Sequence, residues 1–272
     1  MNITFIGGGN MANALIGGLL KQGFAAAGIT VIEPLAENRE RLSHAFGITC
    51  RPTADAAISS ADVLVLAVKP QQMQEALTPL SGTLSGSSGS LPLVISIAAG
   101  VRTSAISRWL GGYGKLVRAM PNTPALIGAG ITGLYAGPLV DAAGRRQAEQ
   151  VLGAAGATLW VDDESMMDAV TAVSGSGPAY VFYFIESLRD AALALGFSAD
   201  QAKTLAIETV TGAAALASGS AEDVAVLRQR VTSKGGTTEA ALASLHADDF
   251  KAAILRAVRA AEARGRELGG PD

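Results

Sequence analysis

Short runs of β-branched and apolar residues alternate with amphipathic stretches through the first half of the chain. Ile3–Ile6, Ile29–Ile32, Asp62–Val68, Leu93–Ile97 and Lys115–Arg118 read as strands, and Gly47–Cys50 as a further short one. Between them, Ala12–Lys21 and Ala36–Phe46 carry apolar residues at helical spacing. Strands and helices alternating over short connections predict right-handed βαβ units. The fold class is therefore α/β, with an N-terminal doubly wound, mostly parallel sheet. Ser81–Ser90, rich in Ser and Gly, reads as a flexible surface loop between a helix and a strand.

The period changes after Leu159-Trp160-Val161. From Asp163 onward helical spacing dominates, as in Tyr180, Phe184, Leu188, Ala191 and Leu195, with Gly196 placed to end that helix and Ser198 to cap the next. This predicts two domains, 1–160 and 161–272, the second all-helical. Helices so rich in Ala and Gly would pack closely against another copy of themselves, so the chain is expected to oligomerise.

Composition narrows the classes. A formal charge of −3 with scattered basic residues gives no electrostatic case for nucleic acid or acidic membranes. No window holds the roughly 18 uninterrupted apolar residues of a membrane span. The N-terminus shows no signal-peptide pattern, so the expected location is cytoplasmic. The one cysteine, Cys50, reads as a small apolar residue in a reducing compartment. His44 and His246 match no motif and read as surface residues, and no Cys/His cluster suggests a metal.

Ile6-Gly7-Gly8-Gly9-Asn10-Met11-Ala12 is a G-x-G-x-x-A turn that follows the first strand and opens a helix. Gly7 permits the tight turn, Gly9 lets a pyrophosphate approach the backbone, and Ala12 lets helix and strand pack closely. Residues 1–160 thus read as a Rossmann-type dinucleotide-binding domain. Glu33, ending the second strand, stands where a carboxylate meets an adenosine ribose. Its acceptor chemistry favours NADH, while Arg39 and Arg41 follow on the next helix as surface charges. Two later strand ends border the same edge. Ala67-Val68-Lys69-Pro70 and Ala98-Ala99-Gly100 read equally as cofactor-lining turns or as ordinary loops.

Three further segments suggest a second half of the site. In Arg118–Pro124 the prolines could hold Met120 and Asn122 rigidly over a nicotinamide, or form a stiff connector. Ser174–Tyr180 leads into a helix and reads as a ligand contact or as a close helix crossing. Val231–Glu239 sets Ser233, Gly235, Gly236, Thr237 and Thr238 before a helix. Amides and hydroxyls together there suit a carboxylate better than a plain cap.

These runs, in this order and over nearly the whole chain, resemble the pyrroline-5-carboxylate reductases. The Met-Pro-Asn-Thr-Pro, Ser-Gly-Ser-Gly-Pro-Ala-Tyr and Thr-Ser-Lys-Gly-Gly-Thr-Thr segments carry most of that resemblance. The resemblance implies reduction of 1-pyrroline-5-carboxylate to L-proline with NADPH or NADH. It implies a helical domain that forms homodimers, often assembled further into decamers, with substrate bound at the dimer interface. It implies that the Gly236–Thr238 amides hold the substrate carboxylate, with Thr238 beside the ring nitrogen and Glu164 near nicotinamide and substrate. Glu33-Pro34 departs from the polar or basic residue that the family commonly carries after the second strand. Two other readings stay open. One is a related 3-hydroxy acid dehydrogenase using Lys203 or Lys234; the other is a non-catalytic nucleotide-sensing scaffold.

Overall fold

A computed structural model describes residues 1–54, 56–85 and 91–269. Eight strands form one sheet: β1 Ile3–Ile6, β2 Ile29–Ile32, β3 Thr49–Arg51, β4 Val63–Leu66, β5 Leu93–Ser96, β6 Leu116–Met120, β7 Gly130–Ala136 and β8 Gly156–Val161. Their spatial order is β3-β2-β1-β4-β5-β6-β7-β8. All neighbours are parallel except β6 and β7, which run antiparallel.

β1, β4 and β5 are buried along their whole length, which is why they read as unbroken apolar runs. Alternate residues feed two cores. Ile3, Phe5, Val63 and Val65 pack with Leu15 and Leu19 of α1 (Asn10–Lys21), Leu42 of α2 (Ala36–Phe46) and Val151 of a later helix. Ile6, Leu64 and Leu66 pack in the other core with Met73, Leu77 and Ile106. The remaining helices of this half are α3 Ala56–Ser59, α4 Met73–Leu77, α5 Ser81–Ser85, α6 Thr103–Trp109, α7 Ala142–Leu152 and α8 Met166–Val170. The predicted Ser81–Ser90 loop is corrected in part, since Ser81–Ser85 is helical, and 86–90 lie outside the described residues. A π-helical turn, Thr171–Gly175, follows α8.

The helical part comprises α9 Gly177–Ala194, α10 Ala199–Ser218, α11 Val224–Arg230, α12 Thr237–Ala247 and α13 Phe250–Gly269. Two compact units result: one holds residues up to Ser176 together with residues from Ala261 onward, and the other is Gly177–Ala260. The first unit thus extends past residue 160 and takes in the end of the last helix. α9 ends on Gly196, whose φ of +95° is left-handed, and Ser198 opens α10 with a capping box completed by Gln201. In the second unit Ala202 and Ala206 are the fully buried hydrophobics among the described residues. No helix among the described residues is long and apolar enough to cross a membrane.

Candidate functional site

The first unit gathers its candidate residues at the carboxyl ends of its parallel strands. The strand order reverses between β1 and β4, the switch point at which open parallel sheets bind their ligands. The Gly7 N–H donates to Ile32 O at 2.8 Å and the Ala67 N–H to Ile6 O at 2.8 Å, which fixes three strand ends side by side. Gly7 has φ +100°, and a Cβ on it would lie 2.8 Å from Ala67 O. A Cβ on Gly8 would strike the Leu42 side chain at 2.5 Å. Gly9 differs: a Cβ there would meet nothing within 4 Å.

Gly9 is also the N-cap of α1, and it and Asn10 are exposed. The N–H groups of Asn10, Met11 and Ala12 belong to the first helical turn, where no intrahelical carbonyl is available. Open backbone, orphan donors and the positive end of a helix dipole together fit a pyrophosphate. Ala12 itself is buried against the sheet, as its small size requires.

Glu33 has partners within the fold itself. The residue is 7% exposed, with Oε2 accepting from the Gly8 N–H and Oε1 from the Leu35 N–H, both at 3.0 Å. It braces the glycine turn from within. Arg39 Nη1 donates to Glu33 O and Pro34 O, and Arg41 Nη2 to Gly8 O at 3.3 Å. These two are not plain solvated charges. Beside them Cys50 is half-buried on β3, and burial pushes its thiol up, with Arg39 opposing and Glu33 adding to the shift. A thiol held protonated is a poor nucleophile.

Further along the edge, Ala67 and Val68 are half-buried, Lys69 is exposed, and Pro70 starts a short 3-10 turn. Ala98 is buried and Ala99 exposed, and Gly100 adopts φ +76°. A cavity of about 370 Å³ brings Pro70, Ala99 and Gly100 together against Arg102, Arg108 and Trp109. Met120 ends β6 and lies against Gly175, where a Cβ would stand 2.6 Å from its Cε. The Asn122 amide is committed to the fold, with Nδ2 donating to Ser174 O at 3.1 Å and Oδ1 accepting from the Ile131 N–H at 3.0 Å. It locks the proline loop to β7 and to the π-helical turn.

Glu164 belongs to a buried cluster that sequence reading did not assemble. Its carboxylate accepts from the Thr103 N–H at 2.8 Å and the Thr103 hydroxyl at 2.6 Å, capping α6 from outside. Arg118, 3% exposed, bridges Glu164 and Asp168 at 3.3 Å each. The available signal was a guanidinium inside an apolar strand, Leu116-Val117-Arg118-Ala119-Met120. This cluster joins the loop after β5 to the strand that carries Met120.

The second unit carries the hydroxyl turn. Thr232 closes α11 by donating to Arg228 O, and Gly235, at φ +75°, makes the bend. The Gly236 N–H donates to Ser233 O at 3.0 Å, and Gly236 is the N-cap of α12. Ser233 lies against Gly236, where a Cβ would meet its Oγ at 2.4 Å. The Gly235 N–H donates to the Glu239 carboxylate at 2.6 Å, so that amide is already bonded within the turn. The Thr237 and Thr238 amides lie in the first turn of α12, and Thr238 is half-buried.

Comparison with known proteins finds two family models and relatives that match along nearly the whole chain. Residues 164–268 match the family model described as pyrroline-5-carboxylate reductase dimerisation. Residues 2–100 match the model described as NADP oxidoreductase, coenzyme F420-dependent. The chain is 47% identical to a pyrroline-5-carboxylate reductase of Pseudomonas aeruginosa, over 98% of this chain and 96% of the relative. Among solved structures, a pyrroline-5-carboxylate reductase from Coxiella burnetii superposes with a TM-score of 0.93 at 40% identity, covering 98% of each chain. The pyrroline carboxylate reductase of Plasmodium falciparum with NADP bound gives 0.84 at 29% identity, covering 99% of this chain and 98% of the other.

Proposed function

The chain belongs to the pyrroline-5-carboxylate reductase family, and from that premise we propose that it reduces 1-pyrroline-5-carboxylate to L-proline with NADPH or NADH. What carries the reading is a match along nearly the whole chain, together with this chain's glycine turn open at Gly9 and its Ser233–Thr238 turn.

The reduced nicotinamide, when bound, supplies the hydride that the imine carbon takes up. The chain's own residues bind and orient. The α1 N-terminus holds the pyrophosphate, with the Ala67–Pro70 and Ala98–Gly100 turns bordering the cofactor beside Met120. The Thr237 and Thr238 amides and the Ser233 hydroxyl take the substrate carboxylate, with the Gly236 N–H spent on Ser233 O, and Thr238 Oγ1 stands at the ring nitrogen. The proton on that nitrogen comes from solvent, because a cyclic imine is basic enough to be protonated near neutral pH. Orientation therefore supplies most of the rate. Glu164 acts through Thr103, holding the loop after β5. The helical unit pairs with a second copy; dimers assembled into a decamer are the fuller form of this reading. The reducing cytoplasm suits a chain whose one thiol is free.

The rival 3-hydroxy acid dehydrogenase needs a lysine acid/base, for which Lys203 and Lys234 are the candidates, and a Lys234→Ala variant that keeps most activity counts against it. In the test, purified protein is given the cyclic imine with each dinucleotide and the nicotinamide absorbance is followed. Loss of absorbance is expected, and its absence with both cofactors overturns the proposal. Thr238→Ala is expected to lower kcat/KM about tenfold or more, equivalent to about 1.4 kcal/mol. An unchanged value removes Thr238 from its role.

A further inference from the structure

The last two turns of α13 hold two glycines among charged residues. Gly265 weakens the helix it stands in, because a glycine gives up more backbone freedom there than an alanine would. Gly269 follows four residues later, on the same face. Between and beside them Arg264, Arg266, Glu267 and Leu268 are exposed, with Arg264 paired to Glu267 and Arg266 to Glu262. Both glycines are half-buried.

Their face meets the loop after β5. A Cβ on Gly265 would stand 3.8 Å from Asp168 Cβ. One on Gly269 would stand 3.1 Å from Gly100 O and 3.9 Å from Arg102 Nε. From the other side, a Cβ on Gly100 would lie 3.7 Å from Gly269 N and from Leu268 C. Helix end and turn thus touch backbone to backbone, and the Arg102 guanidinium stands where a helix carboxyl end favours a positive charge. Asp168 is also the carboxylate that Arg118 bridges to Glu164, and Glu164 holds Thr103. The loop is therefore held at two points: at Thr103 by the buried cluster, and at Gly100 by the helix end that rests on that cluster.

We infer that the end of α13, seated through Gly265 and Gly269, positions the Ala98–Gly100 turn for the dinucleotide. Two alanines and a glycine at φ +76° have little side-chain packing of their own to fix their shape, so the shape comes from what they rest against. The inference rests on the reading that this turn borders the cofactor.

Binding of NADPH and of NADH to the full chain is measured by titration calorimetry, alongside the KM for the cyclic imine. Gly269→Val drives a branched side chain against Gly100 O. It is expected to weaken the better-bound dinucleotide about fivefold or more, with the imine KM within about twofold and Tm within about 3 °C. Gly269→Ala asks the turn to give by only a few tenths of an ångström and is expected to fall between the two, at about twofold. Gly265→Ala meets Asp168 at ordinary contact distance and is expected to bind as the unaltered protein does, at a higher Tm. An unchanged dinucleotide Kd in Gly269→Val overturns the inference, as does an equal loss in Gly265→Ala or an imine KM that rises in step. If Gly269→Val is unstable, Gly269→Ala decides by the same criterion. If the unaltered chain binds a dinucleotide and Gly269→Val binds it equally, only the seat fails. If the unaltered chain binds neither dinucleotide, the functional reading fails with it.

Discussion

A charged residue in the middle of an apolar strand poses a question that the strand cannot answer. Arg118 is legible as out of place in β6, but its partners come from residues 46 and 50 positions later, Glu164 and Asp168. Removing the guanidinium while leaving both carboxylates buried is costly, because neither keeps its compensating charge. Arg118→Met is expected to lose about 3–5 kcal/mol of stability, seen as a lower urea midpoint at an unchanged slope. A loss below about 1 kcal/mol would show that water reaches the cluster and solvates it. Glu33 teaches the converse lesson. Its place at the strand end was readable from spacing, and its two backbone partners were not, since Gly8 and Leu35 lie within hydrogen-bond reach only once the turn is folded. Asn122 was expected with Met120 over a nicotinamide; its amide bonds Ser174 and Ile131, partners that only the folded chain brings to it.

Elements were legible where one period dominates. β1 and β2 fall at their expected bounds, as does α2, since β-branched runs and an amphipathic stretch leave little ambiguity there. β7 and β8 went unread. β7, Gly130–Ala136, holds two glycines and lacks polar alternation, and it reverses direction against β6. β8 is an edge strand whose Trp160 is covered by α7, with Arg145 4.7 Å over the ring and Glu149 accepting from its indole N–H. Such cover comes from an i, i+4 pair on a helix and leaves no mark in the strand itself. The second unit shows local chemistry deciding a boundary. Ser198 accepts from the Gln201 N–H and Gln201 returns a bond to the Ser198 N–H. Ser198→Ala is expected to cost about 1 kcal/mol, measured as a lower Tm, while Ser198→Asp retains most of it. An unchanged Tm for the alanine variant would mean that α10 is held by its packing alone.

At the scale of the whole molecule, the two units differ in how much core they own. The sheet buries long apolar strands on both faces, whereas the helices of Gly177–Ala260 bury two alanines and expose large side chains, Phe182 at 65% and Leu216 at 74% among them. Exposure on that scale marks a surface that another chain covers. The Ala- and Gly-rich helices announced close packing, but a period cannot say whether the partner is the same chain or another copy. A second copy is the occupant proposed here, consistent with the dimerisation model matched by residues 164–268. Light scattering at micromolar concentration is expected to give at least twice the 27.5 kDa chain mass. Phe182→Glu with Leu216→Glu would then place carboxylates in the covered face. That variant is expected to shift the mass toward the monomer and to lower Tm, because the helical unit loses the cover its own residues do not provide. A monomeric unaltered protein with a high Tm would instead mean that the Ala202 and Ala206 contacts suffice, and the pairing would have to be abandoned.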